Sequence, residues 1–203
     1  MPFAGFRLPL FQAPARGAGR PTWRGLLRSA WLALSVLCLL APSLAADAEL
    51  TQFEVLRNED GVSLSYAVDF ELSRSVEDAL SKAVPLYFVA DAQVFRDRWY
   101  WRDRRVGSTV RVWRIVYQPL TTTYRVTFGG LSQNYATRSE ALSVISRGAR
   151  WKIAEPGQIE DGSRHYVEFS YRLDTSLLPR PLQIGVSGQP DWTLAVTRTQ
   201  RFD

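Results

Sequence analysis

The chain of 203 residues carries 25 lysines and arginines against 20 aspartates and glutamates, 12% aromatic residues, one histidine and one cysteine. A disulfide framework within the chain is thereby excluded, and any histidine-dependent catalysis or metal binding must run through His165. Nucleic-acid binding is disfavoured as well: without the five arginines before residue 46, twenty basic and twenty acidic residues remain, too even a balance to release counterions from phosphates.

The first element in chain order is an export signal over residues 1–45. Arg7, Arg16, Arg20, Arg24 and Arg28 make a basic leader with no acidic residue before Asp47. The apolar run Ala30–Ala41 follows and ends at Pro42. As a helix it would be roughly 18 Å long, short of the ~30 Å hydrocarbon core, which fits a signal better than a membrane span. Ser43-Leu44-Ala45 then offers the small residues that a signal peptidase reads. Cys38 follows Val36-Leu37, whereas a lipidation signal has a small residue directly before the cysteine, and no Arg-Arg pair precedes the run to suggest twin-arginine export. The expected address is the periplasm. Retention of the segment as an anchor in the inner membrane, with the domain still facing the periplasm, is the alternative.

The remaining residues, 46–203, hold no cysteine and no linker long enough to divide them, which predicts a single domain. Its dominant pattern has a period of two. A strand at Thr51–Arg57 and the turn Asn58-Glu59-Asp60-Gly61 lead into Val62–Leu72, where Val62, Leu64, Tyr66, Val68, Phe70 and Leu72 alternate with smaller or polar residues; together these predict an antiparallel hairpin. Further strands are expected at Leu86–Phe95, Val110–Tyr117, Tyr124–Phe128, His165–Leu173, Leu182–Val186 and Trp192–Thr199. Two short helices interrupt them. Ser75 is the expected cap of the first, with Val76, Ala79, Leu80, Ala83 and Val84 on its apolar face and Pro85 as its end. The second opens with the capping box Thr137-Arg138-Ser139-Glu140, turns Ala141, Leu142, Val144 and Ile145 inward, and stops at Gly148. About eight strands with helices only as connectors predict an antiparallel β-sandwich, with a barrel as the alternative.

Val76-Glu77-Asp78-Ala79-Leu80, Pro85-Leu86-Tyr87-Phe88, Arg98-Trp99-Tyr100-Trp101, Tyr117-Gln118-Pro119-Leu120, Tyr124-Arg125-Val126, Gly129-Gly130-Leu131 and Leu177-Leu178-Pro179-Arg180-Pro181 occur in this order. In these stretches the chain resembles the DUF4390 family of proteobacterial exported proteins, a domain of unknown function, over essentially all of residues 46–203. The resemblance implies no activity and no functional residues. It implies at most a partner, a membrane sensor kinase of the nitrogen-regulation type.

The chemical motifs are sparse. No G-x-S-x-G, H-E-x-x-H or Walker loop is present. His165 follows the turn Glu160-Asp161-Gly162-Ser163 and is expected at the surface or at a strand edge. Gly129-Gly130 follows a strand without a Lys-Ser/Thr, so it reads as a turn rather than a phosphate cradle. Glu59-Asp60, Glu77-Asp78 and Glu160-Asp161 could in principle form the carboxylate pair of a glycan hydrolase, but each also reads as a turn or a helix start. No catalytic residue, metal ligand or cofactor is expected. The Leu177–Leu182 segment resembles a polyproline ligand, although its prolines also suit a change of direction between strands.

The most unusual composition is Phe95–Arg105, where Trp99, Tyr100 and Trp101 sit among arginines and aspartates. Read as a strand, it would place Trp99 and Trp101 on one face and Tyr100 on the other. Arg98, Trp99, Tyr100, Trp101 and Arg102 are the expected partner-binding residues: rigid aromatics supply contact area and guanidinium groups stack or pair with carboxylates. A twisted hairpin that merely supports its own sheet uses the same residues. The expected function is a non-enzymatic protein-binding module of the cell envelope, with a carrier of a small apolar or lipid ligand, or an unrecognised glycan hydrolase, as alternatives.

Overall fold

The computed structural model describes residues 48–186 and 188–202; the export signal expected over 1–45, Cys38 included, lies outside the described residues. Among the described residues, nine strands form two antiparallel sheets. The smaller joins β1 (Ala48–Asn58), β2 (Gly61–Phe70) and β7 (Arg147–Ala154) in the order β1-β2-β7. The larger joins β3 (Leu86–Arg96), β4 (Arg104–Gln118), β5 (Thr123–Phe128), β6 (Leu131–Tyr135), β8 (His165–Leu173) and β9 (Ala195–Phe202) in the order β6-β5-β4-β3-β8-β9. The architecture is an open sandwich; neither sheet closes into a barrel.

Period-two alternation explains the core. Val62, Leu64, Tyr66 and Val68 of β2 are buried, as are Phe88, Ala90, Ala92 and Val94 of β3 and Val167, Phe169, Tyr171 and Leu173 of β8. Aromatic rings join the sheets: Tyr66 lies 4.7 Å from Phe169, Phe169 lies 5.5 Å from Phe53 of β1, and Phe70 stacks on Phe88 at 5.4 Å. Tilted and offset contacts of this kind contribute beyond area alone. The first hairpin closes as expected, with Asn58 opposite Gly61.

Among the described residues, three helices connect the strands: α1 (Arg74–Ser81), α2 (Arg138–Ile145) and α3 (Arg180–Val186). The cap of α1 is Ser73 rather than Ser75; the Ser73 hydroxyl accepts from the Val76 N–H, whereas Ser75, inside the helix, donates to Asp191. The capping box of α2 forms as expected at Thr137 and Glu140. Val144, expected inward, is largely exposed. Gly148 does not stop this helix, which ends at Ile145. It lies instead in β7 under the Tyr66 ring, where an added Cβ would come within 2.4 Å of Cε1.

Three further differences concern strands. Leu182–Val186 is not a strand but most of α3. Pro181 fits the first helical turn, where no N–H is needed, and the Pro179 carbonyl accepts from both Leu182 and Gln183. The final strand starts at Ala195, after a 3-10 turn at Pro190–Trp192. β6 and β7 lacked a period-two signature: β6 reads Leu-Ser-Gln-Asn-Tyr, and β7 is broken by two register shifts against β2 and by Arg150 at φ 45°. Within 177–182, Leu178 is buried as an anchor and Pro179 lies between it and α3, so the segment steers the chain.

Candidate functional site

The Phe95–Arg105 segment is a hairpin, but its centre is not a strand. β3 and β4 pair as far as Arg96 opposite Arg104, and residues 97–103 form the loop beyond them. The expected alternation of Trp99 and Trp101 across a sheet is therefore replaced by a tip on which all three aromatics point outward. Trp99 is 87% exposed, Tyr100 72% and Trp101 73%. A register shift between Val94 and Phe95 disturbs the ladder just before this loop.

The base of the loop is tied down. Asp103 accepts from the Arg98 N–H at 3.0 Å and from the Tyr166 hydroxyl at 2.9 Å. These bonds, the Arg98 backbone first, hold the Asp103 carboxyl below its usual range. Burial, and then the same hydrogen bond, push the Tyr166 phenol up to about 12. The Tyr166 ring stacks on Phe95 at 5.2 Å. On the other side the Asp97 N–H donates to the Arg164 carbonyl at 2.9 Å, and the Asp97 carboxylate lies 3.8 Å from Arg164 and 3.9 Å from Arg201. Trp99 meets Tyr100 edge to face at 4.8 Å. Anchored at both ends and unpacked at its tip, the loop presents aromatic surface on a backbone tied at its base, which lowers the cost of ordering the segment on binding.

A groove of ≈ 640 Å³ runs between this loop and the turn at Glu160–Arg164. Arg96 pairs with Glu160 on its floor, and Arg57 pairs with Asp161 close by. The expected acidic pairs thus have structural partners: Glu160 and Asp161 meet arginines, Glu77 meets Arg138 at 2.9 Å, and Glu59-Asp60 forms the β1–β2 turn. Among the described residues, no three of His, Cys, Asp and Glu gather as a metal-binding group.

His165 differs from its expected surface position. It opens β8 opposite Arg96 and Phe202, is only 1% exposed, and stacks on Phe202 at 5.9 Å. Burial holds the imidazole below its usual range, against the opposing effect of a hydrogen bond to the Ser163 backbone. Its Nε2 has no hydrogen-bond partner among the described residues. The period-two pattern of β8 already placed position 165 on the same face as Val167 and Phe169; the preceding turn hid that signal. Gly129 and Gly130, at φ 55° and 85°, make the β5–β6 turn and no phosphate cradle. The concavity closest to the expectation of an apolar ligand is a groove of ≈ 520 Å³ between α2 and the β5–β6 hairpin, lined by Trp113, Val126, Phe128, Leu131, Tyr135 and Val144.

These features define an antiparallel β-sandwich domain with an arginine-flanked aromatic loop at one end of its larger sheet. Residues 45–202 match the family described as a domain of unknown function, DUF4390, and the chain belongs to that family. No curated protein and no solved structure matches it.

Proposed function

We propose that this chain is an exported, non-enzymatic binding module that docks another protein of the cell envelope through Arg98, Trp99, Tyr100, Trp101 and Arg102. The observation that carries the reading is the exposure of three consecutive large aromatics on a loop whose base is tied by Asp97 and Asp103. Trp, Tyr and Arg are the residue types that dominate binding energy at protein interfaces, and preorganisation lowers the cost of ordering them. Near charge neutrality after removal of the leader fits a protein partner better than a polyanion. An inner-membrane protein with a periplasmic portion, a sensor kinase among them, is the partner class that export to the periplasm would bring within reach.

The test is Trp99→Ala, Trp101→Ala and Arg102→Ala combined in the full-length chain, expressed in its native host and crosslinked in the cell. Capture of a specific envelope protein by the unaltered chain, lost in the triple variant while thermal unfolding is unchanged, supports the reading. Undiminished capture by the variant overturns the assignment of this loop.

A further inference from the structure

An open sheet invites pairing at its edges unless something blunts them, and three of the four edges here are blunted. β1 carries Glu49, Glu54 and Arg57 and a register shift between Leu50 and Gln52. β7 carries Arg147, Arg150 and Lys152 and two register shifts. β9 carries Arg198 and Arg201. β6, Leu131-Ser132-Gln133-Asn134-Tyr135, has no charge, no proline and no shift in its pairing with β5. Leu131, Ser132, Gln133 and Asn134 are all exposed, and among the described residues no strand lies beyond it.

β6 is also fastened to its one neighbouring strand among the described residues. Asn134 accepts from Arg125 at 3.1 Å, and the hydroxyls of Ser132 and Thr127 lie 2.9 Å apart, so its side chains fasten it to β5. Phe128 and Leu131 flank the two-residue Gly129-Gly130 turn and form the hydrogen-bonded closing pair of such a hairpin. By alternation, Leu131, Gln133 and Tyr135 direct their N–H and C=O groups toward β5. Ser132 and Asn134 direct theirs outward.

We infer that β6 is a self-association site, at which a second copy of this chain adds its own β6 antiparallel across a twofold axis at Gln133. Only a register centred on Gln133 overlaps all five residues. It sets Ser132 against the partner's Asn134, so that their outward N–H and C=O groups exchange hydrogen bonds. It sets Leu131, 80% exposed at the mouth of the α2 groove, against the partner's Tyr135 on the same face. The two Gln133 side chains meet on the axis as a neutral, self-complementary pair. No like charges oppose one another. An isologous interface of this kind closes as a dimer and leaves the aromatic loop of each copy free for its own partner.

The register makes the test specific. Gln133 faces its own copy as a non-hydrogen-bonded pair, the closest approach across an antiparallel ladder. In the full-length chain carrying Cys38→Ser, Gln133→Cys is therefore expected to form a disulfide-linked dimer under mild oxidation, and Leu131→Cys is not. By sedimentation equilibrium, Ser132→Pro is expected to weaken dimerisation at least tenfold while the circular-dichroism spectrum of the folded chain is retained, because the N–H it removes points away from β5. Gln133→Lys is expected to weaken it in a way that added salt relieves. A chain that remains monomeric at about 100 μM, or one in which both cysteine variants crosslink equally, overturns the inference.

Discussion

Phe169 with its neighbours and Trp99 with its neighbours are built from the same class of side chain and meet opposite fates. Tyr66, Phe88, Phe169 and Tyr171 alternate along paired strands, so each reaches the opposite sheet and is nearly or wholly buried. Trp99, Tyr100 and Trp101 lie beyond the last pair of the β3–β4 ladder, where neither sheet covers them. Aromatic content therefore decides nothing by itself. Parity within a paired strand makes a core, and departure from the ladder makes a surface.

The contrast can be broken first on the core side. Phe169→Ala removes a ring that touches both Phe53 and Tyr66 and is expected to cost ~3–5 kcal/mol in urea unfolding. Gly148→Ala is expected to cost about 1–3 kcal/mol by forcing the Tyr66 ring aside, since that ring has packed neighbours and little room to give. His165 adds a pH dependence of known sign. Its folded imidazole resists protonation, so the unfolded chain takes up protons first and stability falls as pH drops below about 6.5. His165→Phe should flatten that slope in unfolding midpoints measured from pH 7.5 to 5. The smallest effect is expected at the loop: Trp99→Ala should change stability by no more than about 0.5 kcal/mol. A large loss there would mean that the tip supports the sheet and that the contrast is false.

How far the sequence was legible follows the same physics. β2, β3 and β8 were readable because each alternates with one face in the core, and β5 because Tyr124, Val126 and Phe128 alternate in sequence although only Val126 is buried. β6 was hidden because a hairpin strand with a polar middle need not alternate, and β7 because register shifts and Arg150 interrupt its period. α3 was misread because Leu182, Ile184 and Val186 satisfy a period of two while also spanning one helical turn. At the site, composition singled out Arg98–Arg102 as unusual, and the hairpin was expected. That residues 97–103 leave the ladder depends on where the β3–β4 pairing ends, which no local pattern records. The burial of His165 was legible from parity alone, but the Gly162-Ser163 turn drew the reading toward the surface.

The most direct test of the binding surface places a photo-crosslinking amino acid at Trp101 in one strain and at Leu120 in another. Leu120 sits in the β4–β5 turn, is fully exposed and lies outside the aromatic loop, so it controls for exposure alone. Crosslinking in the native host followed by mass spectrometry is expected to capture one envelope protein from position 101 and nothing specific from position 120. Equal capture from both positions, or capture from position 120 alone, would contradict a docking role for the loop.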